Sequence, residues 1–539
     1  MSPSARLVHR QPLPFAHSER STLGVEWELQ LIDRDSLDLR QCAAEILRAV
    51  QPDPHIHGEM MLNTVELVSG ARRTVAECLE DIALAFDRLL PVTEPLRVDL
   101  SSAGTHPFAD PLVQKVTDTE RYARLVDRTR LWGHQMLIFG THVHVGLEDR
   151  AKALPILRAL LTRTAHLQCL SASSPFWAGL DTGYADNRAM MFQQLPTAGA
   201  PHQLETWDEL EAYAGDMIHT GVIEDFTEVR WDVRPSPRLG TIEVRACDAA
   251  TNLTELAGIA ALTQCLVESF SRALDRGEEL DAMPAWYVDE NKWRSARYGM
   301  DAILITDSLG NEELVTDTVE RMVTELAPVA ADLGCEAELE GVRATLEAGA
   351  SYQRQLAAVG AATYLLGACG VVIPALKIAR RVPPTSFATA GAAAAVGWFL
   401  GCVVLVGAGI LMADDVAGAR RVIHTVRVAL GAGFALQILA AALSYLTPVM
   451  LGGGPATTRV TNAIMDRAAD YRVVAANSCL LPAVLPVLPW TVRLTCALTA
   501  GAVAGYVPIG MGLSWVEVRR RDRSRRSRSE SKQAEGRPR

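Results

Sequence analysis

Four short runs of this sequence alternate charged and apolar residues with the period of two that a β-strand imposes. In Leu23–Ile32 (LGVEWELQLI), Glu26, Glu28 and Gln30 share one face, and Val25, Trp27, Leu29 and Leu31 the other. Gly140–Leu147 sets His142 and His144 together against Val143 and Val145. Phe226–Pro235 aligns Glu228, Arg230, Asp232 and Arg234 opposite Val229, Trp231 and Val233, and Gly240–Asp248 aligns Thr241, Glu243 and Arg245 opposite Ile242, Val244 and Ala246. Between the first two runs, HGEMMLNTVELVSG (57–70) adds Glu59, Asn63 and Glu66. A sheet with one face in water produces the same alternation, but such faces mix Thr, Lys, Ser and Gln, whereas these carry Glu, His and Arg. Five carboxylates (Glu26, Glu28, Glu59, Glu66, Glu243) share a cavity only if cations offset their repulsion. Oxygen ligands without a thiolate cluster select Mg²⁺ or Mn²⁺. With Arg230, Arg234 and Arg245 nearby, the chemistry indicated is metal-assisted phosphoryl transfer from a nucleotide. No GxxxxGK[ST] or GxGxxG element is present to cradle the phosphates, so metals and arginines have to do it.

The elements that must position these residues occupy about the first 350 of 539 positions, where strand-like runs and amphipathic helical stretches predict a mixed α and β domain. Helices are expected at Thr74–Leu90, Asp118–Trp132, Ala151–Cys169, Leu253–Arg276 and Asn311–Leu326. The net charge of −11 argues against nucleic acid as a partner of the whole surface. Lysine occurs only at 115, 152, 292, 377 and 532, which leaves few candidates for Schiff-base or P-loop chemistry, and the ten cysteines form no CxxC pair, as expected of reduced, buried residues. The first two dozen residues hold no apolar signal-like core, so the N-terminal domain is expected in the cytoplasm.

From about residue 356 charges become rare and Gly and Ala frequent. Apolar segments at 358–376, 388–412, 428–451, 473–490 and 495–515 each approach the ~20 residues that cross a bilayer. An Arg-rich tail from Arg519 and a cytoplasmic N-terminal domain require an even number of crossings. Pro482, Pro486 and Pro489 make one stretch of 473–515 re-entrant or interfacial, so four spans are expected from five segments. The domains expected are 1–352, a helical membrane region at 353–516 and a disordered basic tail at 517–539. The protein is thus placed at the cell membrane, its soluble domain on the cytoplasmic side and the bilayer a partner of its C-terminal region.

TLGVEWELQLID (22–33), the GE…N..EL segment (58–67), SSAGTHPF (101–108), Tyr122, GTHVHVGL (140–147), SSPFW (173–177), Asp186 to Arg188 and WDVRPSPRLGTIEVRACD (231–248) occur in this order. This set resembles the carboxylate–amine ligases of the glutamate–cysteine ligase type 2 family over about residues 20–350. The resemblance implies an α+β fold in which an antiparallel sheet forms a glutamine synthetase-like funnel flanked by helices. It also implies an enzyme using ATP and Mg²⁺ (or Mn²⁺) to phosphorylate a γ-carboxylate, typically of glutamate, for attack by an amine, typically that of cysteine. Carried over by position, it makes Glu26, Glu28, Glu66 and Glu243 metal ligands and Arg245 the group that neutralises the transferring phosphoryl. Arg234, counted as catalytic beside Arg245, and His144 help hold nucleotide or substrate carboxylate; Arg230, taken from the strand pattern and not from the resemblance, is expected to bind the cofactor. His142 stands evenly between sheet pairing and a ligand role, Trp27 and Trp231 read as core, Asp248 as a turn cap, and Glu59 has no assigned role. Members of the family end near residue 350–370, and the membrane region is this chain's departure from them.

Two other readings compete. In a metal-dependent amidohydrolase, His166, His202 or His219 would complete a site begun by His142 and His144; this needs a parallel barrel. In a non-catalytic reading the domain senses a ligand for the membrane module. The amine acceptor, cysteine or another, has no legible pocket, and self-association into a homo-oligomer is left open. Neutralising Glu26 or Glu243 is expected to abolish metal-dependent turnover with little loss of folding, since a carboxylate in the funnel without its metal is a burden on stability.

Overall fold

The computed structural model describes residues 9–50, 52–381, 385–411, 426–485 and 488–535. It divides into two compact units, Met1–Ala357 and Ala358–Arg539. In the first, strands β1 (Leu23–Asp33), β2 (Ile56–Gly58), β3 (Thr64–Val68), β4 (Val98–Ser101) and β5 (Gly140–Gly146) are followed by a two-residue ribbon, β6 (Phe176–Trp177) and β7 (Leu180–Asp181), and then by β8 (Val233–Ser236) and β9 (Thr241–Asp248). The main sheet has the order β2-β3-β1-β5-β9-β8, with β4 pairing the far end of β1, and every pairing is antiparallel.

One face of this sheet is core. Leu23, Val25, Leu29 and Leu31 of β1 join Val143 and Val145 of β5 and Ile242 and Val244 of β9 against the helices Val75–Thr93, Ala153–Leu161 and Leu253–Asp275. Each such fully buried aliphatic side chain contributes about 1.5–3 kcal/mol, so the fold is held from behind and the opposite face is free to carry charges. Trp27 also belongs to the core and donates its Nε1 hydrogen to the Ala250 carbonyl at 2.8 Å. The helix at Val75 starts where Thr74 and Glu77 form a reciprocal capping box, and that at Leu253 where Asn252 caps the Glu255 N–H. The segment expected as Asn311–Leu326 begins later, at Val315, because Glu312–Leu314 pairs with Ile303–Ile305 as a short ribbon.

The third strand run is shorter than its alternation suggests. Phe226–Glu228 forms a 3₁₀ turn capped by Asp225, and β8 begins only at Val233. Pro235 and Pro237 lack N–H groups, which confines this segment to the sheet edge. Asp232 is drawn instead to Lys292, 2.7 Å away in a buried pair, while Trp231 packs with Leu210 and Phe226 in a second apolar cluster.

In the second unit, three helices among the described residues are long and apolar enough to cross a membrane: Phe387–Gly409, Val426–Met450 and Trp490–Arg528. Segment 358–376 lies in the helix Ser351–Arg381, and 473–490 overlaps the 16-residue helix Ala469–Val484. Of the basic tail expected at 517–539, residues 517–535 lie in the helix Tyr506–Glu535, and 536–539 lie outside the described residues. Arg, Glu, Gln and Lys are good helix formers, Arg521 pairs with Glu517 one turn earlier at 2.9 Å, and no Gly or Pro interrupts the run between Gly512 and Gly536.

Candidate functional site

The sheet register assembles the polar row. Glu66 of β3 lies opposite Glu28 of β1, Glu26 of β1 opposite His142 of β5, His144 of β5 opposite Glu243 of β9, and Glu243 opposite Arg234 of β8. The β5–β9 ladder shifts register between Thr141 and Val143, so His142 is the residue it skips. This irregularity turns the ring toward β1, where its Nδ1 lies 2.7 Å from Glu26 Oε2. His144 reaches the other Glu26 oxygen at 3.2 Å through Nε2, and its Nδ1 lies 3.0 Å from Thr241 Oγ1. Arg234 Nε donates to Glu243 Oε2 at 2.7 Å, and Arg245 donates to Glu243 Oε1. Single ligand atoms of Glu26, His142 and Glu243 lie within 4.8 Å of one another, as do those of Glu28, Glu66 and His142. Each group is a candidate cation site, with His142 available to one of them at a time through its single free ring nitrogen, and the oxygen-rich donor set fits Mg²⁺ or Mn²⁺.

Electrostatically the row has two halves. Against the burial that would raise it, hydrogen bonds from His142 and His144 hold Glu26 well below the usual carboxylate range. Glu243 is buried too, yet Arg245, His144 and Arg234 keep it ionised. Burial lowers His142 to about 4, helped by Arg245, so its imidazole is neutral and able to ligate. In the other half no Arg or Lys forms an ion pair with the carboxylates among the described residues, and Arg188 and Arg245 offset their burial only in part. Burial and the neighbouring Glu59 push Glu28 up to about 8. Burial, Glu59, Glu26 and Glu28 hold Glu66 well above its ordinary value, and burial also raises Glu59. These carboxylates sit where a divalent cation would relieve them.

A pH dependence follows. Glu28 and Glu66 are raised in the folded state, so their contribution to the metal-free fold is complete below the unfolded value near 4.5 and fades as pH rises toward about 8. A cation needs them ionised. The increase in melting temperature on adding Mg²⁺ is therefore expected to grow from pH 6 to pH 9 in differential scanning calorimetry; a constant increment would exclude a cation at this half of the row.

The structure brings Glu26, Glu28, Glu66, Glu243, His144, Arg234 and Arg245 together. Arg230 stands off the row, within electrostatic reach of Arg234 and Arg245. The turn at Phe226–Glu228 sets Arg230 on a separate cavity of about 170 Å³ with Arg121, Arg124 and Arg128, where its Nη1 donates to the Glu228 carbonyl at 3.0 Å and burial lowers it to about 10. Four participants were not legible as such. His142 was evenly divided between sheet pairing and a ligand role, and Glu59 was counted in the carboxylate set without an assigned one. Tyr122, raised well above the ordinary phenol range by burial and then by Glu59, is thereby placed beside the carboxylates. Arg188 is buried, its guanidinium lies over Gly140 where a Cβ would collide with it, both its Nη atoms lie 3.4 Å from the Arg245 carbonyl, and its charge reaches Glu28. Both belong to quoted runs, but nothing in their spacing points to the sheet. Asp248 is buried behind them, accepting from Ser173 N at 2.8 Å and Ser174 Oγ at 2.7 Å. The amidohydrolase histidines are elsewhere: His166 is buried in the helix Thr164–Ser171, His202 lies against Tyr213 and Trp231, and His219 stacks on His9 at 3.6 Å. The antiparallel sheet is also not the barrel that reading needs.

Beside the Glu26–Glu243 half opens a cavity of about 550 Å³. Glu26, His144, Arg234, Glu243 and Arg245 line its charged side, and Pro12, Leu13, Phe226, Pro237 and Leu239 its apolar side.

The profile of glutamate-cysteine ligase family 2 (GCS2) matches residues 22–367. A relative from Clavibacter michiganensis subsp. michiganensis is 54% identical over 351 residues, covering 64% of this chain and 92% of its own length. Another, from Mycobacterium tuberculosis (strain ATCC 25177 / H37Ra), is 51% identical over 347 residues with the same coverages. Both carry glutamate–cysteine ligase 2 as a provisional name. Among solved structures, the glutamate–cysteine ligase of Francisella tularensis in complex with AMP aligns at 12% identity with a TM-score of 0.46, over 78% of this chain and 95% of that one.

Proposed function

Because this chain belongs to glutamate-cysteine ligase family 2 over residues 22–367, we propose that its N-terminal unit is an ATP-dependent carboxylate–amine ligase. Its substrates are the γ-carboxylate of glutamate and the amine of cysteine or another small amine. The observation that carries this reading is the divided polar row, in which carboxylates short of cations stand beside a carboxylate clamped by two arginines.

In the reaction a carboxylate oxygen attacks the terminal phosphorus of ATP and ADP departs. The amine nitrogen then attacks the acyl carbon, loses a proton and expels phosphate. Mg²⁺ held among Glu26 and Glu243, or Glu28 and Glu66, with His142 as a ligand to one of the two, would neutralise phosphate oxygens. The chain's own groups do the rest. Arg245 and Arg234, aligned by Glu243, face the large cavity and stabilise charge on the transferring phosphoryl group. His144 bridges Glu26 and Thr241 and fixes the carboxylate between them. Arg230, with Arg121 beside it, suits a substrate carboxylate rather than the phosphates, since it lines the smaller cavity. Arg230→Gln is accordingly expected to raise KM for glutamate or the amine about tenfold or more with a smaller change in kcat, because a charge-assisted hydrogen bond is worth ~1.5–3 kcal/mol; a selective rise in KM for ATP would reassign it.

Membrane attachment with the catalytic unit on the cytoplasmic side fits the apolar helices and the Arg-rich end of the chain. The test is ADP release by the full-length protein in detergent with ATP, Mg²⁺ and glutamate, scanning cysteine and other amines, with Glu243→Gln as control. Amine-dependent release that the control lacks is expected. Absence of ADP release with every acceptor would overturn the ligase reading in favour of a ligand sensor.

A further inference from the structure

The arginines near the end of the chain take no part in the chemistry above. Along the helix Tyr506–Glu535 an apolar stretch, 506–516, gives way to EVRRRDRSRRSR, with seven arginines and one aspartate between 519 and 528. Trp515 stands at the change, 45% exposed, with Arg519 Cζ 4.2 Å from the centroid of its ring. A tryptophan followed by arginines is the pattern of a helix passing from hydrocarbon into the headgroup layer.

A second helix turns this level into a site. Pro455–Met465 packs along the start of Tyr506–Glu535. The Tyr506 hydroxyl donates to the Ile464 carbonyl at 3.0 Å, and a Cβ on Gly510 would lie 2.7 Å from the Met465 sulfur, so the two helices are closely fitted. Beside these contacts opens a cleft of about 520 Å³. Val460 and Ala463 of the first helix and Leu513 and Val516 of the second give it apolar walls, and Arg459, Arg467 and Arg521 give it three guanidiniums. Arg521 is paired with Glu517 at 2.9 Å. Arg459 uses one donor on the Pro455 carbonyl at 3.3 Å, and neither it nor Arg467 forms an ion pair among the described residues. The cleft therefore holds uncompensated positive charge against apolar walls.

An anion joined to a hydrocarbon chain satisfies both properties. Guanidinium forks match phosphate oxygens in pairs, the apolar walls take the start of an acyl chain, and basic clefts between helices at the headgroup level hold anionic lipids in this way. A soluble phosphate would leave the walls in water, and a nucleic acid would use the charge alone. We infer that the cleft between Pro455–Met465 and Tyr506–Glu535 is a binding site for an anionic phospholipid, its headgroup held among Arg459, Arg467 and Arg521. The site belongs to the membrane unit and does not rest on the ligase reading.

The experiment titrates the full-length protein, in a neutral detergent, with phosphatidylglycerol or with phosphatidylcholine of the same acyl chains, and follows bound lipid by native mass spectrometry. Inorganic phosphate and a single-stranded oligonucleotide are the competitors. Phosphatidylglycerol is expected to bind saturably, about tenfold or more tighter than phosphatidylcholine, and to weaken as salt is raised. Arg459→Gln combined with Arg467→Gln should lower its affinity about twentyfold or more, since each basic residue at a lipid surface is worth about fivefold. Ala463→Phe, which fills the cleft and leaves its charges, should lower it at least about threefold. Arg523→Gln combined with Arg525→Gln removes the same charge outside the cleft and should change it less than about twofold. Equal binding of the two lipids, an equal loss in the Arg523 and Arg525 variant, or undiminished binding in both cleft variants would overturn the inference. Displacement of the lipid by equimolar inorganic phosphate would overturn it in favour of a soluble anion, and tighter binding of the oligonucleotide in favour of nucleic acid.

Discussion

Glu243→Gln is expected to abolish Mg²⁺-dependent ADP release, by about a thousandfold or more, and to destabilise the metal-free protein as well. The second effect comes from the sheet. Glu243 is 1% exposed and accepts from both Arg234 and Arg245, so the neutral amide leaves two largely buried guanidiniums without their counter-charge. Breaking a buried pair in this way costs about 3–5 kcal/mol. The ion pairs replace, for Glu243, the expectation of little loss of folding. That expectation counted carboxylates; the register shows that this one belongs to the arginines. Thermal melts without metal and steady-state ADP release read the two effects, and a variant with normal turnover would remove Glu243 from the metal and phosphoryl machinery.

Glu66→Gln is expected to lose turnover to a similar extent while moving stability the other way. Glu66 is 8% exposed, no arginine or lysine forms an ion pair with it among the described residues, and Glu59, Glu26 and Glu28 all bear on it. At pH 8 the unfolded glutamate gains by ionising and the folded one resists, a difference that Gln does not have, so the metal-free variant should be more stable by at least about 1 kcal/mol. Mg²⁺ should then raise its melting temperature less than it raises that of the wild type. A variant less stable than wild type without metal would mean that Glu66 has a cationic partner in solution. The two substitutions change the same side-chain type on one sheet face, and their opposite signs test the electrostatic division of the site.

Much of this site was legible because strand alternation is local. Period two alone put Glu26 with Glu28, His142 with His144, and Glu243 with Arg245, and the quoted runs carried the family. The same logic failed at Arg230. Alternation places it in line with Arg234, but Asp225 caps a 3₁₀ turn, Lys292 claims Asp232, and the strand begins three residues later, at Val233. His142 was undecidable from its own strand, since its role depends on a register shift against β9, about a hundred residues away in sequence. Tyr122 and Arg188 come from a helix before β5 and one after it, where no periodicity points to the sheet.

The residues alone therefore determined which side chains share a face, that those faces carry carboxylates and arginines in place of a solvated mixture, and where the polar domain yields to apolar segments. These are properties of neighbours along the chain, set by backbone geometry and composition. Only the tertiary structure decided which carboxylate meets which cation. It paired Glu243 with two arginines, left Glu28, Glu59 and Glu66 to repel one another, and laid residues 9–16 over Gly215 and Gly240 as a cavity wall. Those outcomes depend on strand order and on close approach between distant segments, and a Coulomb interaction in a buried site is governed by distance and burial, neither of which is encoded in local spacing.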